Sequence, residues 1–295
     1  MDVPSLQALG ALAALGSAAT WAVTSLLVRR LMPPYTSVGV GAIRSCVGGA
    51  LLLGMILLLH GPAPLLAIPS GSLALLVVSI VAAICVGDTA FFESTRRLGL
   101  ARGMSISTTY PLVAAVLAAT LLGEPLTARV AIGALLTLAG VLLIVVRRHE
   151  PGIARDGWWL GVAGAVIASV AWGVSAVALK PALREVDAVT AQAVRLPIAG
   201  ALLFATPWAR GTVSRLRGER TGLRSLVVLG LLTSVSSVMF VVGLKHAGVA
   251  VGSALSATAP MFAIPLGLVF LGERLTAAPL VGAAVTIAGI AVLQT

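Results

Sequence analysis

The feature that most constrains this chain is a duplication. Residues 99–144 recur as residues 248–293 at a constant offset of 149, without a gap, and 19 of the 46 positions are identical. The identities include Ser107 and Ser256, Thr109 and Thr258, Pro111 and Pro260, Glu124 and Glu273, and Gly140 and Gly289. Nearer the start of each half the offset becomes 151, which sets Trp21 on Trp172 and Arg44 on Arg195. A loop between the two stretches absorbs the two-residue difference. The chain therefore divides into a first unit, residues 1–147, and a second, residues 148–295.

Each unit contains five apolar runs. They fall at about 6–28, 37–59, 72–93, 100–122 and 127–146, then at 158–179, 189–209, 224–244, 249–271 and 277–294. A helix of about 20 such residues crosses a hydrocarbon layer about 30 Å thick. The runs are continuous rather than alternating, which argues against membrane strands. Composition agrees: 59% of residues are hydrophobic and 10% charged, where a soluble domain carries roughly 25% charge. The expected fold is an all-α integral membrane protein of ten transmembrane helices, as two inverted five-helix repeats. Inversion follows from parity, because a unit with an odd number of spans starts its copy on the opposite side. Secondary carriers use this architecture and bind substrate near midplane, where the repeats meet.

Several function classes fall away. The formal net charge of +10 would suggest nucleic acid in a soluble chain. Here the arginines cluster between apolar runs and only 4% of residues are aromatic, so they read as orientation and headgroup anchors. Cys46 and Cys85 lie inside apolar runs, and His60, His149 and His246 are far apart; neither a disulfide framework nor a metal site assembles by spacing. A membrane-embedded enzyme would need convergent acids or histidine ligands. No phosphate-binding loop for direct ATP drive is present, and the reading calls for no cofactor. The start, Met1 to Ser5, lacks a basic stretch and a cleavage signal, so the first run is read as a retained span.

Two Gly-Glu-x-Leu-Thr segments (Gly123 to Thr127 and Gly272 to Thr276) stand in register across the halves. So do the Gly-Ala-x-x-Thr-x-Ala-Gly stretches at 133–140 and 282–289, the prolines Pro111 and Pro260, and the Trp and Arg pairs. With these the whole chain resembles the drug/metabolite transporter superfamily, in its EamA-type ten-span branch. The resemblance implies a carrier of metabolites or drugs, often an exporter of amino acids or related small molecules, and does not imply one substrate.

Ionisable groups inside a span cost about 2.5–3.5 kcal/mol on insertion scales and are functional candidates by default. Four stand out: Arg44, Asp88, Glu93 and Arg195. At 1.5 Å per residue, Arg44 and Asp88 each lie roughly 6–8 Å from midplane, toward the same face, and Trp21 falls in that layer. Arg44 is expected to reach Asp88, with Trp21 closing an aromatic wall. The pair is either a substrate or proton-coupling site, with Arg44 holding a carboxylate by its planar fork, or a structural ion pair. Arg195 repeats Arg44 and is open to the same two readings; the repeat places Ser237 opposite Asp88. Glu93, followed by Arg96 and Arg97, reads better as a rim charge.

Thr109, Tyr110 and Thr258 lie near the midplane of the fourth and ninth runs, beside Pro111 and Pro260. Their hydroxyls either face a cavity or re-satisfy carbonyls freed by proline. Trp21 and Trp172 are expected to line a cavity from two sides, and Trp158, Trp159 and Trp208 to sit in an interfacial belt. Glu124 and Glu273 precede helix starts and read as caps against the dipole. Gly161-x-x-Gly164 reads as close helix packing.

Loops on one side of the predicted bundle carry 14 Lys and Arg residues and those on the other side four. The positive-inside rule puts the 14 in the cytoplasm and both termini outside, whereas the family habit is both termini inside. The expectation is a monomeric secondary transporter of the cytoplasmic membrane. By alternating access it exports small metabolites such as amino acids or amphipathic drugs, driven downhill or by protons or another coupling ion. A flippase or carrier for lipid-linked or phosphorylated substrates is the alternative.

Overall fold

A backbone surrounded by lipid must satisfy its own hydrogen bonds, and an unbroken apolar run does so as a helix. The computed structural model of the chain describes residues 3–32, 35–122, 128–146, 157–216, 220–247, 252–253, 255–273 and 277–294, and among them there are helices and no strand. In order these are α1 (Val3–Leu31), α2 (Ser37–His60), α3 (Ala63–Leu66), α4 (Ser70–Ile80), a π-helical segment (Val81–Asp88) and α5 (Thr89–Leu98). There follow α6 (Leu100–Ser107), α7 (Tyr110–Leu122), α8 (Ala128–Val146), α9 (Trp158–Ala182) and α10 (Ala188–Ala205). The last are α11 (Pro207–Leu216), α12 (Arg220–His246), α13 (Ala259–Leu271) and α14 (Ala277–Gln294).

Among the described residues, seven helical stretches are long and apolar enough to cross a membrane: Ser5–Leu31, Ser37–His60, Ser70–Leu98, Leu100–Leu121, Trp158–Ala182, Ala188–Ala205 and Arg224–His246. Two shorter apolar helices, Ala259–Leu271 and Leu280–Val292, lie where the ninth and tenth runs are predicted. The outward faces are apolar; Leu58 is 88% exposed and Val269 74%, an arrangement suited to lipid rather than water.

Three departures from uniform helix interrupt the runs. The seventh run stops at Ala205 instead of 209 because Thr206 precedes Pro207 and is pushed out of the helical region (φ −81°, ψ 147°). The third span is expected as regular helix but carries the π-helical segment that ends on Asp88. The fourth breaks at Thr108–Thr109 ahead of Pro111, and Thr258 (φ −76°, ψ 2°) marks the matching break ahead of Pro260. Helix starts repeat as well. Thr36 Oγ1 caps α2 through the Gly39 N–H at 3.0 Å. Its partner at the 151 offset, Asp187, caps α10 through the Val189 and Thr190 N–H groups, both at 3.0 Å.

Packing carries the same symmetry. α1 lies on α12, as α9 lies on α4, the π segment and α5; α13 packs on α1 as α7 packs on α9. Exchange of the halves turns each arrangement into the other. α2 packs on α10, and α8 on α14, each against its own copy. A Cβ built at Gly140 would strike Thr286, and one at Gly289 would strike Thr137. One at Gly49 would lie 2.6 Å from Pro197, and one at Gly200 would strike Cys46. In each set the two contacts are the same pair of positions with the halves swapped, so the paired helices run antiparallel. Small residues at these crossings let the backbones approach, which lipid-embedded helices need because apolar burial does not draw them together.

Candidate functional site

Two helices and the π segment bring three charged side chains to the middle of the bundle. Arg44 on α2 is 1% exposed and Asp88 7%. Arg44 Nη2 donates to Asp88 Oδ2 in a buried ion pair, and Arg44 Nη1 donates to Thr233 Oγ1 of α12 at 3.2 Å. Asp88 Oδ1 accepts the indole N–H of Trp172 at 2.9 Å, and that N–H also lies 3.2 Å from the Ala83 carbonyl in the π segment. Extra turns of this kind leave carbonyls available and recur at functional sites. The Arg44 guanidinium lies over the rings of Trp21 (5.6 Å) and Phe92 (5.2 Å).

Arg195 on α10 is differently placed. It is 3% exposed. Its Nη1 donates to Gln192 Oε1 at 2.9 Å, and its Nη2 to the hydroxyls of Ser79 at 2.8 Å and Ser175 at 3.4 Å. All three acceptors are neutral. The Nε atoms of Arg195 and Arg44 are buried with no hydrogen-bond partner. Each arginine thus reaches across to a hydroxyl of the other half: Arg44 to Thr233, Arg195 to Ser79.

Between these groups lies a cavity of about 140 Å³, lined by Trp21, Arg44, Asp88, Thr108 and Tyr110 of the first unit and by Trp172, Gln192, Arg195, Thr233, Ser237 and Ser256 of the second, among others. An apolar cavity of about 150 Å³ is enough to hold benzene. Trp21 and Trp172 meet edge to face with centroids 5.9 Å apart, and Tyr110 meets Trp172 at 6.2 Å. The Tyr110 hydroxyl donates to the Ser253 carbonyl at 3.1 Å, which fixes the ring against the wall. The three charges and an aromatic wall converge on one space.

The sequence expectations divide over this geometry. Trp21, Arg44, Asp88, Tyr110, Trp172 and Arg195 line the cavity. Thr109 does not: its hydroxyl bonds the Ile106 carbonyl at 2.8 Å and Ser169 Oγ at 2.8 Å. Thr258 likewise turns back to the Leu255 carbonyl at 2.6 Å. Both hydroxyls serve the broken helix turns, and the neighbours Thr108 and Ser256 take the lining positions. Glu93 stands away from the cavity, with Ser37 Oγ at 3.0 Å and Arg96 at 3.0 Å.

Glu273 is a cap, but for a distant helix. Its carboxylate accepts the Leu100 and Ala101 N–H groups at the start of α6. Glu124 lies outside the described residues. Trp159 and Trp208 are exposed as a belt requires, whereas Trp158 is 4% exposed and packs with Leu98 and Ala165. Gly161 and Gly164 sit in close contact with Leu98 and with the Ala90 carbonyl.

Residues the sequence reading passed over include Gln192, Thr233 and Ser236; Ser237, read there only as the repeat counterpart of Asp88, also lines the cavity. A usable signal exists for Gln192, an amide in an apolar run one helical turn before Arg195 and so on the same face. The Thr-Ser-Val-Ser-Ser stretch from 233 to 237 is a second.

The chain is similar to several known proteins. A protein described as an uncharacterized transporter of Archaeoglobus fulgidus is 24% identical over 202 residues, 68% of each chain. The chloroplastic WAT1-related protein At3g02690 of Arabidopsis thaliana is 26% identical over 292 residues; the match takes in 92% of this chain and 66% of that protein's length. One solved crystal structure shares the fold with a TM-score of 0.66 at 20% identity, over 98% of this chain and 96% of the other. The Archaeoglobus relative and the matching family profile are described as transporters, not as enzymes. With the family profile matched over residues 8–146 and again over 159–295, the chain belongs to the EamA-like transporter family.

Proposed function

We propose that this multi-pass membrane transporter is a secondary carrier of ten spans, built from units 1–147 and 148–295, that moves small metabolites by alternating access. The observation that carries the reading is the central cavity, to which both halves contribute charged and aromatic residues. A site shared by two units changes its exposure when one unit rocks against the other. Arg44, Asp88 and Arg195 hold the polar end of the substrate or its coupling ion, and Trp21, Tyr110 and Trp172 hold its apolar body. The arginine-rich loops face the cytoplasm of the cell membrane, and the Arg44–Asp88 layer lies toward that side, which suits export of metabolites or amphipathic drugs. A phosphorylated or lipid-linked substrate is less well served, because Asp88 neutralises one of the two arginines.

Uptake into proteoliposomes tests this reading. Purified protein is offered a metabolite panel with and without a pH gradient, beside Asp88→Asn. Saturable uptake of at least one metabolite, lost or uncoupled from protons in Asp88→Asn, is the expected result. If acidification drives no substrate while gradient-free exchange persists, proton coupling at Asp88 is refuted; no movement of any solute refutes the carrier.

A further inference from the structure

The cavity has an odd charge. Among the described residues, two guanidiniums and one carboxylate face it, and Asp88 is the one acidic residue lining it. Arg44 and Asp88 compensate each other through their ion pair. Arg195 hydrogen-bonds neutral partners, Gln192, Ser79 and Ser175, and feels the Asp88 carboxylate at longer range, without an ion pair. A guanidinium has five N–H donors. Three contacts engage the two terminal nitrogens of Arg195, leaving one of their four N–H groups over, and its Nε is buried without a partner. An ion taken out of water without a counter-charge carries a penalty of several kcal/mol. A fork-shaped cation with spare donors, beside empty space, is suited to a planar carboxylate.

We propose that the ligand of this cavity is a small organic monocarboxylate, with its carboxylate on Arg195 and its apolar body along the Trp21–Trp172 wall. The proposal rests on the carrier reading and narrows its substrate class. A monoanion brings the cavity to neutrality; a phosphate dianion overshoots. An amine is less well served, because the Asp88 charge is already compensated by Arg44 at Oδ2, with Trp172 donating to Oδ1, while the Trp21 ring already carries the Arg44 guanidinium. That separates a monocarboxylate from an amino acid, whose ammonium would meet a net positive wall. At about 140 Å³ the space suits a single ring or a short branched chain, by comparison with the benzene-sized cavity of about 150 Å³.

Benzoate and three analogues of equal girth test this without any variant: neutral benzamide, cationic benzylammonium and zwitterionic phenylalanine, with inorganic phosphate as a fifth ligand. Binding is measured at pH 8 by titration calorimetry and tryptophan fluorescence on the full chain in nanodiscs. Benzoate is expected to bind at least tenfold more tightly than any of the others. Arg195→Gln should lose that preference at least tenfold, and Arg195→Lys should keep part of it. Equal or tighter binding of benzamide, benzylammonium, phenylalanine or phosphate overturns the proposal, as does unchanged benzoate binding in a folded Arg195→Gln. If Arg195→Gln does not fold, the ligand series on the natural protein decides alone. Counterflow of a metabolite panel in proteoliposomes separates the two layers. Movement of cations or amino acids with no benzoate binding removes the monocarboxylate and leaves the carrier; benzoate binding with no solute moved removes the carrier.

Discussion

Replacing Asp88 with asparagine removes the carboxylate and keeps its shape. Its Oδ2 partner, Arg44, is 1% exposed and has one other hydrogen bond, to Thr233. Stranding one member of a buried ion pair costs about 3–5 kcal/mol. The Trp172 N–H keeps an acceptor, but the bond falls from charge-assisted to neutral, a further loss of about 1 kcal/mol. Asp88→Asn should therefore destabilise the fold by about 4–6 kcal/mol. The diagnostic step is the second substitution. Arg44→Gln in the Asp88→Asn background removes the stranded cation and returns the cavity to its original single surplus charge. Replacing both members of a buried pair is close to neutral, so the double variant should recover to within about 2 kcal/mol of the natural protein. Equilibrium unfolding in mixed micelles, followed by tryptophan fluorescence, measures all three proteins. A loss under about 1 kcal/mol for Asp88→Asn, or a double variant no more stable than the single, would refute the buried-pair reasoning.

Trp172→Phe keeps a ring against Trp21 and Tyr110 but deletes the N–H on Asp88 Oδ1; a loss of about 1.5–3 kcal/mol is expected in the same unfolding assay. Glu273→Ala strips the cap from α6 at a cost of about 0.5–2 kcal/mol. Faster amide exchange at Leu100 and Ala101 is its local signature. For the Asp187 carboxyl, burial raises the pKa, but hydrogen bonds from Thr190 and Val189, with Lys245 nearby, prevail and hold it below the ordinary range. Its cap is thus at full strength above the unfolded value of about 3.9 and is lost as pH falls through the lower folded value. Asp187→Ala should cost about 0.5–2 kcal/mol at neutral pH, and the gap to the natural protein should close below about pH 3.9.

What was legible in the sequence follows from range and period. Apolar runs report helices directly, and the offset of 151 pairs Arg44 with Arg195 from the sequence alone. Depth counting brought Arg44 and Asp88 to one layer because rise per residue is uniform within a helix. Angle was harder to read. Neighbouring helical residues point about 100° apart, and the breaks at Thr108–Thr109 and Thr258 shift the phase, so Thr108 and Ser256 face the cavity where Thr109 and Thr258 were expected. The π segment over Val81–Asp88 has an ordinary apolar composition that does not announce an altered period. Glu273 was read against the helix next to it, while its partners, Leu100 and Ala101, lie 173 and 172 residues away.

The antiparallel crossings of α2 with α10 and of α8 with α14 have an arithmetic consequence. A frame whose contacts are exchanged by swapping its halves presents every lining residue twice, so a lining that obeyed the frame could hold only an even charge. Two arginines obey it. Asp88 does not, because Ser237 stands at the matching position. Parity is broken at that one place, inside a scaffold whose Gly140–Thr286 and Gly289–Thr137 contacts keep the symmetry intact. In the alternating-access cycle proposed above, the helices would exchange roles as equals while the site between them kept a fixed polarity.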